Sequence, residues 1–482
     1  MLNYRPIFFV TGLLLLPLGL FMLVPSLVDW SYDHVDSFVF LSSAAVTLFA
    51  SISLIITNRG IGEELRIKQA FLLTTVVWVI LPAFAALPFA FSELNLSFTD
   101  SYFEAISGLT TTGSTVITGL DNAPPGILIW RALLQWLGGV GIIVMAVAVL
   151  PMLRIGGMQL FQMESSDTSE KILPRAAQVS GAVASLYLAL SAICFVALVF
   201  AGLEPFDAAA HAMTTIATGG FSTSDQSIGH FNSASVDLII TIFMIVGSLP
   251  FVLYLQALRG RPLALWRDQQ VQAFLGLVAI LITIMVVWLM WKQGFGTGQA
   301  FRYASFNIVS ILTGTGYTTT DFGLWGGFAI SLFFLIMFIG GCAGSTSCGI
   351  KIFRFQVLAE TIRTQINKLS RPNAVFKPKY NNRPLSESVV ASVMSFLFLF
   401  FLTFVVLAIA LAFTGLDFIT ALSGAGTALA NVGPGLGQTI GPSGTFQPLP
   451  DSAKWILSFG MLLGRLELFT VLVLFTPAFW RA

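Results

Sequence analysis

Charge is scarce in this chain. Asp, Glu, Lys and Arg make up 10% of its 482 residues, against about 25% in soluble domains. Hydrophobic residues make up 56%. A water-soluble fold could not hide that much hydrocarbon, so the chain reads as an integral membrane protein. Cysteine is scarce too: Cys194, Cys342 and Cys348 lie in apolar context and are too few for a disulfide framework. His34, His211 and His230 are scattered without metal-ligand spacing. No Ala-x-Ala-like site closes the first apolar run, which therefore reads as a retained helix. A net charge of +1 gives no argument for nucleic acid, and no such partner is expected. No nucleophile, acid/base pair or metal cluster collects at membrane depth. No enzymatic activity and no bound cofactor are expected.

What the chain has is long apolar segments in a repeating order. Segments 7–28 and 37–57 predict a hairpin of two spanning helices. From residue 70 a pattern repeats: a long helix, a short amphipathic segment, a Gly/Thr loop, a second long helix. The predicted segments are 70–92, 99–110 and 126–152; then 179–203, 205–217 and 235–258; then 273–293, 299–313 and 325–350; then 389–414, 417–430 and 453–479. The domains predicted are a hairpin (1–68), repeats at 69–152, 179–259, 260–351 and 389–482, and linkers at 153–178 and 352–388. The fold class is an all-α membrane protein with four helix–pore-helix–loop–helix repeats around one pore.

The short middle segments cannot cross about 30 Å of hydrocarbon, which takes about 20 helical residues. They must enter and return on one side, or else stay outside the membrane as ordinary loops. Non-helical backbone at depth is tolerated only where it is buried in protein or lines a water-filled path. The four loops align on Gly113, Gly220, Gly316 and Gly433, with gaps by subtraction of 107, 96 and 117 residues. A dehydrated monovalent cation needs oxygens in place of its water, and backbone carbonyls supply them without a trapping charge. Glycine reaches the required backbone angles cheaply. The candidate cation-binding residues are therefore Thr111, Thr112, Gly113; Thr218, Gly219, Gly220; Gly314, Thr315, Gly316; and Asn431, Val432, Gly433. No carboxylate lies within the loops, which argues against a calcium- or magnesium-type site.

Nineteen of the 24 Lys and Arg residues fall on one side of this pattern, which puts both termini in the cytoplasm. They include Arg66, Arg154, Lys171 and the cluster from Lys351 to Arg383. The other side carries Asp36, Glu93, Asp100, Asp207, Asp225 and other acids. These make either a cation-concentrating mouth or the mere remainder of positive-inside sorting.

The run from Gly340 to Gly349 interrupts an apolar segment with four Gly, two Ser and a Thr. It is either a close helix–helix contact or an unwound loop. Arg465 lies inside the last apolar segment, where a charge costs at least about 2.5–3.5 kcal/mol. It either faces the pore or pairs with a buried acid. Glu467, two residues on, does not share its helix face.

The motifs Gly108–Gly113, Thr215–Thr223, Gly340–Thr346, Gly433–Gly437 and Gly464–Glu467 resemble those of Trk-type potassium uptake subunits, a superfamily that includes KtrB and the plant HKT transporters. The resemblance covers essentially the whole chain. It implies a bacterial inner-membrane potassium transporter with the twelve loop residues as selectivity filter. Glycine at all four filter positions is that family's mark of preference for potassium over sodium. It implies an intramembrane gate at Gly340, Gly341, Gly344, Ser345, Thr346 and Gly349, with Arg465 as an electrostatic barrier below the filter. It further implies a homodimer and a TrkA-like nucleotide-binding ring on the cytoplasmic face, where the basic linker is the candidate dock or else a membrane-surface segment. A symporter coupling K⁺ to H⁺ or Na⁺ is the alternative to a channel-like path.

Overall fold

The computed structural model describes residues 3–59, 67–148, 172–381 and 383–481. Arg66, Arg154, Lys171 and most of the first linker lie outside the described residues. Among the described residues seven helices are long and apolar enough to cross a membrane, or up to nine if two sharply bent pairs count as spans. The strands there are one two-residue hairpin, Lys379–Tyr380 with Arg383–Pro384. The protein is an all-α, multi-pass membrane protein.

The N-terminal hairpin is Arg5–Ser31 against Asp36–Thr57. It closes through small residues: Ser51 Oγ donates to the Gly12 carbonyl at 2.7 Å, and a Cβ on Gly19 would press on Leu48. Such contacts let spanning helices approach where lipid gives them no hydrophobic drive. Its polar end is tied to the first repeat. Asp29 accepts from the Gly126 amide at 2.5 Å and Asp36 from the Glu93 amide at 3.2 Å.

Each repeat consists of an outer helix, a pore helix and an inner helix. The outer helices are Ile67–Ala85, Ile172–Phe200, Gln269–Lys292 and Glu387–Phe413. The pore helices are Phe98–Leu109, Pro205–Ile216, Thr297–Thr313 and Phe418–Ala430. Their starts are locally encoded. Ser97 and Asp417 accept from the amides of Asp100 and Thr420, and Pro205 occupies the first turn of the second. The Thr420 hydroxyl and amide also hold the Asp417 carboxyl below its ordinary value.

The inner helices depart from the sequence expectation. The first, Pro125–Ala148, is continuous. The segments 235–258 and 453–479 are broken where the sequence predicts continuous helix, and 325–350 is broken at the Gly340–Gly349 run, where an unwound loop is one of the two expectations. The second turns by 91° between Ala234–Gly247 and Phe251–Leu258, at Pro250, which has no amide to continue the ladder. The third stops at Ile336 and resumes at Ile352. The fourth turns by 108° after Arg465, where Glu467 and Leu468 take positive φ of 57° and 48°.

Glycines seat three inner helices against the pore helices. A Cβ on Gly138, Gly247 or Gly464 would collide with, or press to 3.0 Å on, the carbonyl of Leu109, Ile216 or Leu429. Each of those carbonyls lies four residues before a loop glycine. The repeats thus share one packing rule despite unlike sequences.

Candidate functional site

All four pore helices end the same way. The amides of Thr112, Gly219, Thr315 and Val432 reach back to the carbonyls of Ser107, Thr214, Ser310 and Thr427 at 2.9, 2.9, 2.9 and 3.1 Å. The amides one residue earlier bond to Gly108, Thr215, Ile311 and Ala428. This is the Schellman C-cap, which demands a left-handed residue just past the helix. Thr111, Thr218, Gly314 and Asn431 supply it, with φ of 53°, 49°, 75° and 52°. Two residues on, Gly113, Gly220, Gly316 and Gly433 are left-handed again, at 87°, 81°, 84° and 109°. Each helix also brings about half a negative charge of macrodipole to its loop.

The loops close on one another in chain order. A Cβ on Gly113 would overlap the Gly219 carbonyl, one on Gly220 that of Thr315, and one on Gly316 that of Val432. One on Gly433 would lie 2.8 Å from the Thr112 carbonyl. Loop one touches two, two touches three, three touches four, and four returns to one. The four loops that carry the candidate residues therefore form a single closed ring. Side chains join the fourth loop to the first: Ser114 Oγ donates to the Gly433 carbonyl at 2.8 Å, and Asn431 Nδ2 to Thr112 Oγ1 at 2.9 Å.

All four loop glycines open into one cavity of about 300 Å³. Among the described residues Asp225 is the only acid lining it, and it is bonded to the amides of Gly119 and Leu120 at 2.9 and 3.1 Å. The mouth is less acidic than the residue count predicts, because other acids are used elsewhere. Asp36 is buried at the hairpin, Asp100 pairs with Lys454 at 2.5 Å and Asp237 with Arg302 at 2.6 Å.

A buried shell backs the ring, and sequence reasoning missed it. Glu104 and Arg131 pair at 2.8 Å, at 0% and 1% side-chain exposure. Arg131 also donates to the Ser222 carbonyl at 2.7 Å and stacks 4.1 Å from the Phe221 ring centroid. Glu104 accepts from the Val116 amide at 2.9 Å. Gln135 gives its amide to the Gly219 carbonyl at 2.5 Å and accepts from Phe221 N at 3.0 Å. One lone pair of that loop carbonyl is thus committed to the wall. A signal was present: Glu104 and Arg131 are charges in apolar segments that flank the first loop.

Beneath the ring lies the Gly340–Gly349 segment, non-helical as its composition requires. Ser347 Oγ donates to the Thr313 carbonyl at 2.6 Å, directly under the third loop. Cys348 Sγ lies 3.6 Å from Thr111 Oγ1, under the first. Gly340 and Gly341 anchor its start, through Ile350 O at 2.9 Å and Ser347 Oγ at 2.7 Å. Gly344 and Gly349 take positive φ. Thr346 and Cys342 bond to the Gly247 and Ser248 carbonyls at 3.2 and 3.0 Å, which the break in the second inner helix leaves free. Ser345 closes the turn onto Cys342 O at 2.6 Å.

Arg465 reaches this segment. Its guanidinium donates to Cys348 Sγ at 2.6 Å, to Thr346 O at 3.4 Å and to Gly138 O at 3.1 Å. Among the described residues no carboxylate pairs with it, and its Nε has no partner. The buried-acid alternative is not what the fold uses. Glu467 pairs instead with Arg354, which is buried and stacks 3.7 Å from the Phe396 ring centroid. Lys351 Nζ donates to the Ser347 carbonyl. Arg354 and Lys351 were expected on the cytoplasmic docking face. Both are instead part of the wall beneath the Gly340–Gly349 segment, because the helix that resumes at Ile352 starts inside the protein. The space among these groups is about 40 Å³, room for a few waters at most.

Four re-entrant loops closed around one axis, in a chain of spanning helices, define a four-repeat membrane pore protein. Residues 36–482 match the family described as TrkH, cation transport protein, and the chain belongs to that family. It is 47% identical to the Trk system potassium uptake protein TrkI of Halomonas elongata, over 99% of this chain and 97% of that one. It is 40% identical to Trk system potassium uptake protein TrkH of Escherichia coli K12, over all of both chains. The crystal structure of the potassium transporter TrkH from Vibrio parahaemolyticus superposes with a TM-score of 0.92 over all of both chains, at 38% identity.

Proposed function

We propose that this chain is the potassium-conducting subunit of a Trk-type uptake system, with the ring of four loops as its selectivity filter. The observation that carries the reading is the cyclic closure of the loops, each glycine against the next loop's carbonyl. A cation that sheds its water on entering needs oxygens at fixed radius, and a ring in which every loop abuts its neighbours resists collapsing onto a smaller ion. The names of the relatives support potassium as that cation. The four repeats are assigned to 69–152, 179–259, 260–351 and 389–482, and the membrane to the bacterial inner membrane with both termini cytoplasmic.

In this reading Gly340–Gly349 is a gate in its closed position. Its hydroxyls and Cys348 stand under two of the loops, and the void below is too small for a hydrated ion. Opening displaces Ser347 and Cys348 sideways, and Arg465, bonded to that segment, moves with it or repels the passing ion. A TrkA-like ring on the cytoplasmic face drives the motion, and a second copy completes a homodimer. Four units of one direction around one axis favour a channel-like path over a symporter coupled to H⁺ or Na⁺. Reversal potentials in proteoliposomes under separate K⁺, Na⁺ and H⁺ gradients test this. A reversal potential that follows K⁺ alone is expected, and one that shifts with a H⁺ or Na⁺ gradient at fixed K⁺ rejects the channel reading.

A further inference from the structure

Between the second and third repeats the chain leaves the membrane through a short elbow. The inner helix Ala234–Gly247 ends at a 91° bend that turns the chain sideways into Phe251–Leu258. A turn and the single helical turn Ala264–Arg267 follow, and Asp268 then caps the spanning helix Gln269–Lys292 through the amides of Gln270 and Val271 at 2.9 and 3.2 Å. The elbow is therefore fixed at the depth where a span begins.

Its surface mixes two residue types that neither water nor hydrocarbon accepts together. Leu258, Leu263 and Trp266 are 75%, 53% and 63% exposed. Arg259, Arg261 and Arg267 are exposed, and none is ion-paired among the described residues. Asp268, the acid at the end of the elbow, commits one carboxylate oxygen to the helix cap. Arg261 and Arg267 border a groove of about 710 Å³ that Gln256, Asp268, Gln269 and Asn381 also line, two guanidinium groups against one carboxylate. The headgroup layer satisfies both types at once, with the rings and alkyl groups inward and the guanidinium groups at the phosphates.

We propose that the elbow 251–268 is a binding site for an anionic phospholipid. Arg261 and Arg267 grip its phosphodiester in the groove, as planar guanidinium groups do. Leu258, Leu263 and Trp266 lie along its acyl chains, and Arg259 adds field. The elbow's first residue and the helix just after it both hold the Gly340–Gly349 segment: Phe251 N donates to Gly344 O at 3.0 Å, and Gln270 Oε1 accepts from Ala343 N at 3.0 Å. A seated lipid therefore stiffens the whole assembly. The site stands whatever cation the pore carries.

The full-length protein is stripped of lipid in detergent and offered phosphatidylglycerol, phosphatidylcholine or inorganic phosphate. Retention is read by native mass spectrometry and stability by Tm. Phosphatidylglycerol is expected to be retained and to raise Tm over the other two. The triple variant R259Q/R261Q/R267Q should lose that increment, with roughly a fivefold loss of affinity for each arginine, while its Tm in phosphatidylcholine matches the parent. A control triple on the linker, K368Q/R371Q/K377Q, should keep the increment. Trp266→Phe leaves the charges in place and should remove the quenching component added by brominated phosphatidylglycerol. Equal retention of phosphatidylcholine, an equal Tm shift by phosphate, retention unchanged in the elbow triple, or equal loss in the control each overturns the proposal. So does loss of a co-purifying cytosolic ring with lipid retention intact.

Discussion

At a loop glycine, backbone sign and available space act on the same atom. Any L-residue there pays for positive φ, about 1–2 kcal/mol, and its Cβ then meets a neighbour's carbonyl. The meeting is an overlap at Gly113, Gly220 and Gly316, while at Gly433 the carbonyl is 2.8 Å away. Substitution to Ala should therefore lower the K⁺/Na⁺ permeability ratio most at Gly220 and Gly316 and least at Gly433. Gly113→Ser should likewise raise Na⁺ permeation. Ion-gradient flux in proteoliposomes measures this, and four equal, unchanged ratios would remove the filter assignment. Arg465 presents a different residue-scale balance. Its partners are a thiol and two carbonyls, so Arg465→Ala strands no carboxylate and leaves acceptors worth about 1–3 kcal/mol each at most. Two unit charges 4 Å apart at an effective dielectric near 20 interact by about 4 kcal/mol. A quarter of that on the limiting barrier changes flux about fivefold. Arg465→Ala should raise K⁺ flux by that order with the K⁺/Na⁺ ratio kept. A well-folded variant with flux unchanged or lower would reject the barrier role.

Among elements, the pore helices and the segments after them are what the sequence makes easiest and hardest to read. The Gly/Thr loops were legible as four recurrences, and the Gly340–Gly349 interruption as a break, because composition alone forbids helix there. The bends at Pro250 and after Arg465 were not, since both flanks remain apolar and periodicity carries across a turn. The first left-handed position was missed for a related reason: Thr111, Thr218 and Asn431 are not glycine, and only the Schellman bonds reveal what they do. A hydroxyl six residues before each loop glycine (Ser107, Thr214, Ser310, Thr427) was the unread signal. The Glu104–Arg131 pair lies behind the first two loops and can be tested as an element-scale staple. Glu104→Gln leaves a guanidinium buried with its charge uncompensated, which typically costs about 3–5 kcal/mol. A marked fall in Tm is expected, with a lower K⁺/Na⁺ ratio in whatever folds. The exchanged pair E104R/R131E should not restore it, because Glu cannot donate to the Ser222 carbonyl. Full rescue by the exchange would mean that the charges matter without the geometry.

For the whole molecule, four loops with little sequence in common adopt one backbone, and the likeness emerges only when chain neighbours become ring neighbours. The fold likewise decides which charges turn inward and which stay exposed. The linker reads as one basic stretch from Lys351 to Arg383, yet its first members turn inward: Lys351 bonds to the Ser347 carbonyl and Arg354 to Glu467. Arg363, Lys368, Arg371, Lys377 and Lys379 stay exposed on the helix Ile352–Ser370 and beyond it. Charge reversal should therefore split into two phenotypes. Arg354→Glu sets two carboxylates against each other in a buried site and should cost folded yield and Tm, with no specific effect on a cytosolic partner. Arg363→Glu with Lys368→Glu and Arg371→Glu touches only exposed side chains, where single charges are worth a few tenths of a kcal/mol to stability. It should leave Tm and the K⁺/Na⁺ ratio alone and weaken co-purification of a TrkA-like ring, more so at low salt than at high. Unchanged ring affinity at every ionic strength would move the dock off this linker, and a fall in Tm equal to that of Arg354→Glu would show that the helix is packed where its side chains stand in solvent.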